Sequence, residues 1–497
     1  MGAPQGEDTA VTGTGETPDW VADAIFYQIF PDRFARSARV AKPGRLEEWD
    51  APPTRHGFKG GDLLGIVERL DELARLGVNA LYLNPIFASA ANHRYHTYDY
   101  FRVDPLLGGD DALRELLDAA HARGIRVILD GVFNHTGRGF WPFHHILENG
   151  EDSPYVDWFH IHSFPVKAYR RRGKPGYECW WNLPALPKLN TSNPQVREHI
   201  FRVAEHWIEQ GADGWRLDVP GEIDDPEFWR TFRRRVRAVN AEAYLVGEIW
   251  DDGREWLAGD RFDGLMNYPL ARAALGFFAA KTLAPGARMG THRVASLTER
   301  EFSAELDRLL GLHSPLAIRS QLNLLGSHDT PRFLTSAGGD HSALYLATLL
   351  QMTLPGAPCI YYGDEVGMTG GDDPDCRGAF PESASRIHTP TLELFRRAIA
   401  LRREHAVLRR SGVRLLSVPE DVVGYLRSGE GDDPGESILV LFNARSTDAR
   451  IALDLEQLPP HARREDLWGT HRADGSEGGE LQVEIPARGA RVIALLG

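Results

Sequence analysis

The sequence predicts an α/β fold: a (β/α)8 TIM barrel with an inserted domain after strand three and a C-terminal antiparallel β-sandwich. Three observations predict it. From about residue 18 to 407, helical and strand-like periodicities alternate, the pattern of a parallel α/β fold. The strand segments are apolar on both faces and end in polar residues, as buried barrel strands carrying chemistry at their carboxyl ends do. After about residue 408 the helical pattern stops, and short strands separated by Gly, Asp and Pro turns take over.

Residues 1–17, MGAPQGEDTAVTGTGET, have no basic start and no apolar run, so they read as a disordered tail rather than a secretory leader. A cytoplasmic location is the resulting expectation. AIFYQIF (24–30) is the first strand. GGDLLGIVERLDELARLG then sets Leu63, Ile66, Val67, Leu70, Leu73 and Leu76 on one helical stripe and stops at Gly77, a natural helix terminator. VNALYLNP is the second strand, and DDALRELLDAAHARG is the helix that leads into the third, IRVILDGV.

The next connection, from about 135 to 192, far exceeds the roughly 15 residues beyond which a loop is usually functional or a small subdomain. Rich in Trp, His, Tyr, Pro and Gly, it is assigned as an inserted domain, 135–192. NPQVREHIFRVAEHWIEQG resumes the alternation before ADGWRLDV, followed by AYLVGEI (243–249), FDGLMNY (262–268), LNLLGSH (322–328) and PCIYYGDE (358–365). The barrel thus comprises 18–134 and 193–407. A doubly wound sheet would place a Gly-rich phosphate turn after its first strand, and none is there. Within 408–497, VRLLSV, VVGYLR, SILVLFN, ARIALDL, LQVEI and RVIALL form the sandwich.

Composition bounds the function. A formal charge of -14 over 497 residues would be repelled by nucleic acid and by anionic lipid surfaces. No stretch approaches the roughly 20 apolar residues that span a bilayer. Cys179, Cys359 and Cys376 are too few and too irregularly spaced for a disulfide framework or zinc cluster.

Barrel strands converge at their carboxyl ends, so polar residues there can be pooled: Asp130, Asn134, His135, Arg216, Asp218, Glu248, His328 and Asp329. Arg216 and Asp218 stand two apart in one strand and therefore share a face. Asp218 and Glu248 end consecutive strands, which lie about 4.8 Å apart. A retaining glycosidase needs its two carboxyl groups about 5–5.5 Å apart. Arg216 is expected to hold Asp218 ionised, as suits a nucleophile. Glu248, between Gly247 and the apolar Ile249 and Trp250, is expected to be raised by desolvation, as suits a general acid. Asp130 lies deeper in its strand and reads as structural.

The inserted domain offers weaker signals. His160 and His162 in WFHIH share a strand face without an evident third ligand. Tyr177, Trp180 and Trp181 in YECWW suit either sugar stacking or a small core. Lys188 is either a cleft residue or a solvated loop charge.

DGVFNH, GWRLDVP, GEIW and LLGSHDT, in this order, resemble the four signature segments of the α-amylase superfamily. LPKLN (186–190), NHRYHTYDYFRVDP and YYGDEVGMTGGDDPDCR resemble its cyclomaltodextrinase, neopullulanase and maltogenic amylase branch. The resemblance implies Asp218 as nucleophile, Glu248 as acid/base and Asp329 as a third, transition-state-stabilising acid. It further implies that Arg216, His135, His328, His93 and Tyr95 line the subsite of the attacked glucose, with Tyr95 stacked on the ring. Asp373 and Arg377 would hold the next sugar.

The expected activity is therefore retaining hydrolysis of α-1,4-glucosidic bonds in cyclodextrins, pullulan, starch and maltooligosaccharides, with transglycosylation as a side path. An exo-acting α-glucosidase or 4-α-glucanotransferase is the alternative, and a non-catalytic glucan-binding protein a remote one. No cofactor is required by this reading, and calcium stays open without support from the sequence. Calcium-dependent α-amylases carry a histidine ligand four places after the nucleophile, where this chain has Glu222, and Gly221 stands where the branch often has asparagine. About twenty residues precede the first strand, too few for the branch's N-terminal sugar-binding domain, so neither its dimer nor its cyclodextrin preference is implied. Monomer and homo-oligomer both stay open.

Overall fold

The computed structural model describes residues 17–496 apart from 43, 171–172, 419–421, 430–434, 460–462, 470–475 and 478. The expected N-terminal tail, save Thr17, lies outside the described residues. Eight parallel strands form one sheet: β1 Phe26–Ile29, β2 Ala80–Leu83, β3 Arg126–Gly131, β4 Gly214–Leu217, β5 Tyr244–Gly247, β6 Gly264–Leu265, β7 Leu322–Leu324 and β8 Ala357–Tyr361. Their spatial order is β7-β8-β1-β2-β3-β4-β5-β6, and a parallel bridge from Met266 to Leu322 closes the barrel. All eight expected strands are present.

These residues form strands because both faces of each segment find apolar cover, inside against the barrel core and outside against helices. Helix α1, Leu63–Leu76, shows how the ends are set: Asp62 accepts from the Gly65 amide at 2.7 Å, and Gly77 stops the helix at φ 101°. Its buried stripe runs through Leu63, Ile66, Leu70, Leu73 and Leu76, with Val67 half-buried. Helices α2 Gly109–His121, α3 Pro194–Glu209 and α4 Pro226–Val239 follow β2, β3 and β4. Between β5 and β6 only one 3-10 turn, Arg254–Leu257, stands where a full helix would fit the repeat. The outer layer resumes with α5 Tyr268–Phe278, α6 Glu299–Leu310, α7 His341–Thr353 and α8 Thr389–Glu404. Gly214 opens β4 because a side chain there would meet the Tyr244 carbonyl oxygen at 2.1 Å.

The inserted segment holds a helix, Trp141–Asn149, and a small aromatic core in which Phe143 packs on Phe159 and Tyr177 at ring separations of 5.0 and 4.9 Å. Single antiparallel bridges, His135 to Lys188 and Phe159 to Leu189, tie its two ends together at the top of β3.

The C-terminal region forms two antiparallel sheets. One holds β9 Gly412–Leu416, β10 Val422–Ser428, β11 Glu436–Asn443, β13 Arg463–Trp468 and β16 Gly489–Leu496; the other holds β12 Ala449–Asp454, β14 Ser476–Glu477 and β15 Glu480–Ile485. Leu439 and Leu441 of β11 face the second sheet, while Ile438, Val440 and Phe442 join the barrel's core. The strand is apolar throughout because both its faces are covered. Strand β13 escapes the hydrophobic pattern, since Arg463, Arg464, Glu465 and Asp466 make it an edge strand with charged faces.

Among the described residues no helix is long and apolar enough to cross a membrane. The three cysteines are free.

Candidate active site

At the carboxyl ends of β4 and β5 the parallel register continues one residue beyond the strands. Leu217 pairs with Gly247, and the Glu248 amide donates to the Leu217 carbonyl at 3.0 Å. Asp218 and Glu248 therefore start from neighbouring positions. Asp130 of β3 is level with Arg216 of β4, which places three carboxyl groups around one guanidinium. Arg216 Nη1 donates to Asp130 Oδ1 at 2.7 Å and Asp218 Oδ1 at 2.9 Å, and Nη2 lies 2.8 Å from Glu248 Oε2. All four residues are buried.

Immediately after Asp218 the backbone makes a tight turn. Val219 sits at φ 35° and ψ 52°, a conformation a β-branched residue rarely adopts. The turn aims the Val219 amide at Glu248 Oε2, 3.0 Å away. That oxygen accepts from the Val219 amide and lies against the Arg216 guanidinium, so the proton of a neutral Glu248 belongs on Oε1. Asp218 Oδ2 is buried and has no hydrogen-bond partner.

Burial pushes Glu248 up to about 7 against the pull of Arg216. The expectation that Arg216 would hold Asp218 low is not met. Burial pushes Asp218 well above the ordinary carboxylate range against Arg216, and the Glu248, Asp130 and Asp329 charges push the same way. The physical reason is sharing: one positive charge serves three carboxyls, so the cluster retains a proton rather than ionising completely.

A second cluster completes the pocket from β1, β2, β7 and β8. Tyr82 and Tyr95 hydroxyls donate to Asp130 Oδ2 at 2.9 and 2.8 Å. Tyr95 stacks on His328 at 5.5 Å with planes 4° apart, and its hydroxyl lies 2.7 Å from His328 Nε2. Burial, with Arg377 and Arg216 adding to it, drives His328 well below its usual range, so its ring is neutral. Asp329 lies 3.1 Å from His328 Nε2 and 3.1 Å from Arg377 Nη2, while Arg377 Nη1 reaches Asp373 at 3.2 Å. Arg377 therefore joins Asp329 to Asp373.

Two expected site residues touch none of the carboxyls. His93 accepts from the Tyr95 amide at 3.1 Å. Buried His135 stacks on Trp180 at 4.9 Å, its Nε2 unpartnered, and burial lowers it to about 3. The inserted domain's ambiguous signals divide: Tyr177 is core, Trp180 covers His135, and Trp181 is 72% exposed. Lys188 stands 3.3 Å from Glu222, in the turn that follows β4. His162 lies 3.7 Å from Glu178. No group of three or more His, Cys, Asp or Glu poised for a metal ion occurs among the described residues.

Sequence reasoning missed Gln28, Tyr82 and Asn84. Gln28 Nε2 contacts His328 Nδ1 at 2.9 Å and Asn84 Oδ1 at 3.1 Å, holding the ring in place. A lone glutamine inside FYQI and an asparagine ending LYLN were the available signals, each an unpaid polar group in an apolar strand.

A match over most of the chain decides the family. Residues 28–377 match the α-amylase catalytic domain. The chain belongs to the α-amylase family. As a family member it is a glycoside hydrolase, and the barrel is the family's catalytic domain. It is similar to a cyclomaltodextrinase from Geobacillus thermopakistaniensis, 43% identical over 89% of this chain and 72% of that protein. It is 46% identical to neopullulanase 2 of Thermoactinomyces vulgaris over 80% of this chain and 66% of that one. Among solved structures, the cyclic α-maltosyl-(1→6)-maltose hydrolase of Arthrobacter globiformis matches with TM-score 0.85 and 38% identity over 96% of this chain and 100% of that one.

Proposed function

We propose that this glycoside hydrolase cleaves α-1,4-glucosidic bonds of cyclodextrins, pullulan, starch and maltooligosaccharides with retention, by double displacement. One observation carries the reading: the two ends of the Arg216 fork hold Asp218 and Glu248 side by side, leaving Asp218 Oδ2 free and Glu248 Oε1 to bear a proton. Glu248 protonates the departing glycosidic oxygen while Asp218 Oδ2 attacks the anomeric carbon. The leaving sugar removes the proton, so Glu248, now ionised, deprotonates the water that releases the glycosyl group from Asp218. A sugar hydroxyl in place of that water gives transfer. Asp329, steadied by Arg377, faces the charge that develops on the ring.

The relatives named for cyclodextrin, pullulan and cyclic maltosyl-maltose hydrolysis support this substrate range. Double displacement by this pair of carboxyls requires no metal in either step. Lys188 already places an ammonium beside Glu222, where a divalent cation would be repelled.

Asp218→Asn is expected to remove nearly all reducing-sugar release from these glucans while keeping the thermal midpoint, and turnover at the wild-type rate refutes the assignment. Panose from pullulan identifies endo cleavage, glucose alone an exo-glucosidase, and longer products from maltotriose a transferase.

A further inference from the structure

The inserted domain carries most of the exposed large apolar side chains among the described residues: Trp141, Tyr169, Trp181 and Leu183, against Val239 and Leu316 elsewhere. Tyr169 lies over the Arg138 guanidinium at 4.3 Å, and Trp141 packs edge-on against His145. Trp181 differs from both. Its ring lies 4.6 Å from that of Trp180 with planes 10° apart, and Trp180 lies 4.9 Å from His135 with planes 8° apart. Three near-parallel rings therefore run outward from a fully buried site residue to a surface indole that is 72% exposed.

The backbone is bent to present that indole. Trp181 and Asn182 both take positive φ, 51° and 57°, which a bulky L-residue rarely adopts. Hydrogen bonds from Trp180 to the Leu186 carbonyl and from Leu183 to the Trp180 carbonyl, both 3.0 Å, close the turn. One face of the indole is spent on Trp180, and the outer face is bare. A flat uncharged face of this size suits the C–H face of a pyranose ring, and it stands two stacked rings out from His135 at the carboxyl end of β3.

Resting on the hydrolase reading above, we infer that the outer face of Trp181 is a glucosyl platform beyond the catalytic subsites, engaging a sugar remote from the scissile bond and selecting for long chains. On this reading maltotriose bound across the scissile bond leaves the platform empty, whereas maltoheptaose is long enough to fill it.

The test compares maltoheptaose with maltotriose for wild type, Trp181→Ala and Trp181→Tyr. In Trp181→Ala the ratio of kcat/KM for maltoheptaose to that for maltotriose is expected to fall about tenfold, through KM, and Trp181→Tyr to restore it. An unaltered ratio in Trp181→Ala, at an unchanged thermal midpoint, overturns the platform. Equal loss on both substrates overturns it too, because that marks damage to the turn. If wild type releases sugar from neither substrate, the hydrolase reading fails. Quenching of tryptophan fluorescence by maltoheptaose then decides the platform alone: quenching lost in Trp181→Ala supports it, and quenching kept refutes it.

Discussion

Arg216 offers one fork to three carboxyls, and that shortage of positive charge sets the behaviour of each. Glu248 is the carboxyl whose displacement has a direct kinetic reading. Its level of about 7, produced by burial, means that the acid form is lost as pH rises through neutrality. The rate constant kcat/KM is therefore expected to fall on the alkaline side with a midpoint near 7, and Glu248→Gln to abolish that limb while lowering hydrolysis by about 10²–10⁴. A profile flat from pH 5 to 9 contradicts this. Arg216, Asp218 and Glu248 were legible because spacing and strand order alone put them at adjacent strand ends. The proton balance was not, since Arg216 looked like the private partner of Asp218 until Asp130 and Glu248 proved to share it. His93 was legible only through motif resemblance, as nothing in its local pattern marks the pocket wall, whereas His135 stood among the polar residues that end the strands.

At the level of elements, buried Arg402 of the barrel and buried Arg427 of the C-terminal sheets meet on the Leu408 carbonyl, and neither has a carboxylate among its hydrogen-bond partners in the described residues. Arg402 donates to the carbonyls of Met352, Leu354, Gly356 and Leu408, at 2.6–3.1 Å. Arg427 donates to those of Thr353, Leu408, Ser411 and Gly412. Between them they satisfy the last carbonyls of α7, the negative end of that helix. Burial lowers both groups to about 9, so both stay charged at neutral pH. Arg402→Met strands four carbonyls and is expected to cost about 3–5 kcal/mol in denaturant unfolding. A loss below about 1 kcal/mol counts against this joint. Neither arginine was legible in the sequence, because Arg402 in the charged helical segment LRREH and Arg427 at the end of the strand segment VVGYLR both read as surface. The strands were legible from their apolar runs, and β13 was not, because an edge strand needs only one apolar contact line.

For the whole molecule, the alternation of elements foretold a closed ring of strands but not how evenly the ring is closed. Strands β1 to β5 pair with one another over four residues each, whereas β6 pairs with β5 over only two and meets β7 through the single Met266–Leu322 bridge. Side chains replace the missing ladder there: the Leu265 amide donates to Gln321 Oε1 at 2.9 Å, and Asn267 Nδ2 donates to Asn323 Oδ1 at 2.9 Å. A wall stitched this way has a seam. Breathing should begin at it, and the amides of Leu265 to Asn267 should exchange with deuterium well before those of Val127 to Leu129. Equal protection along both stretches would mean that the ring yields everywhere at once. If the seam does yield first, the outer wall opposite β2 can loosen while the acid pair on β4 and β5 keeps its spacing.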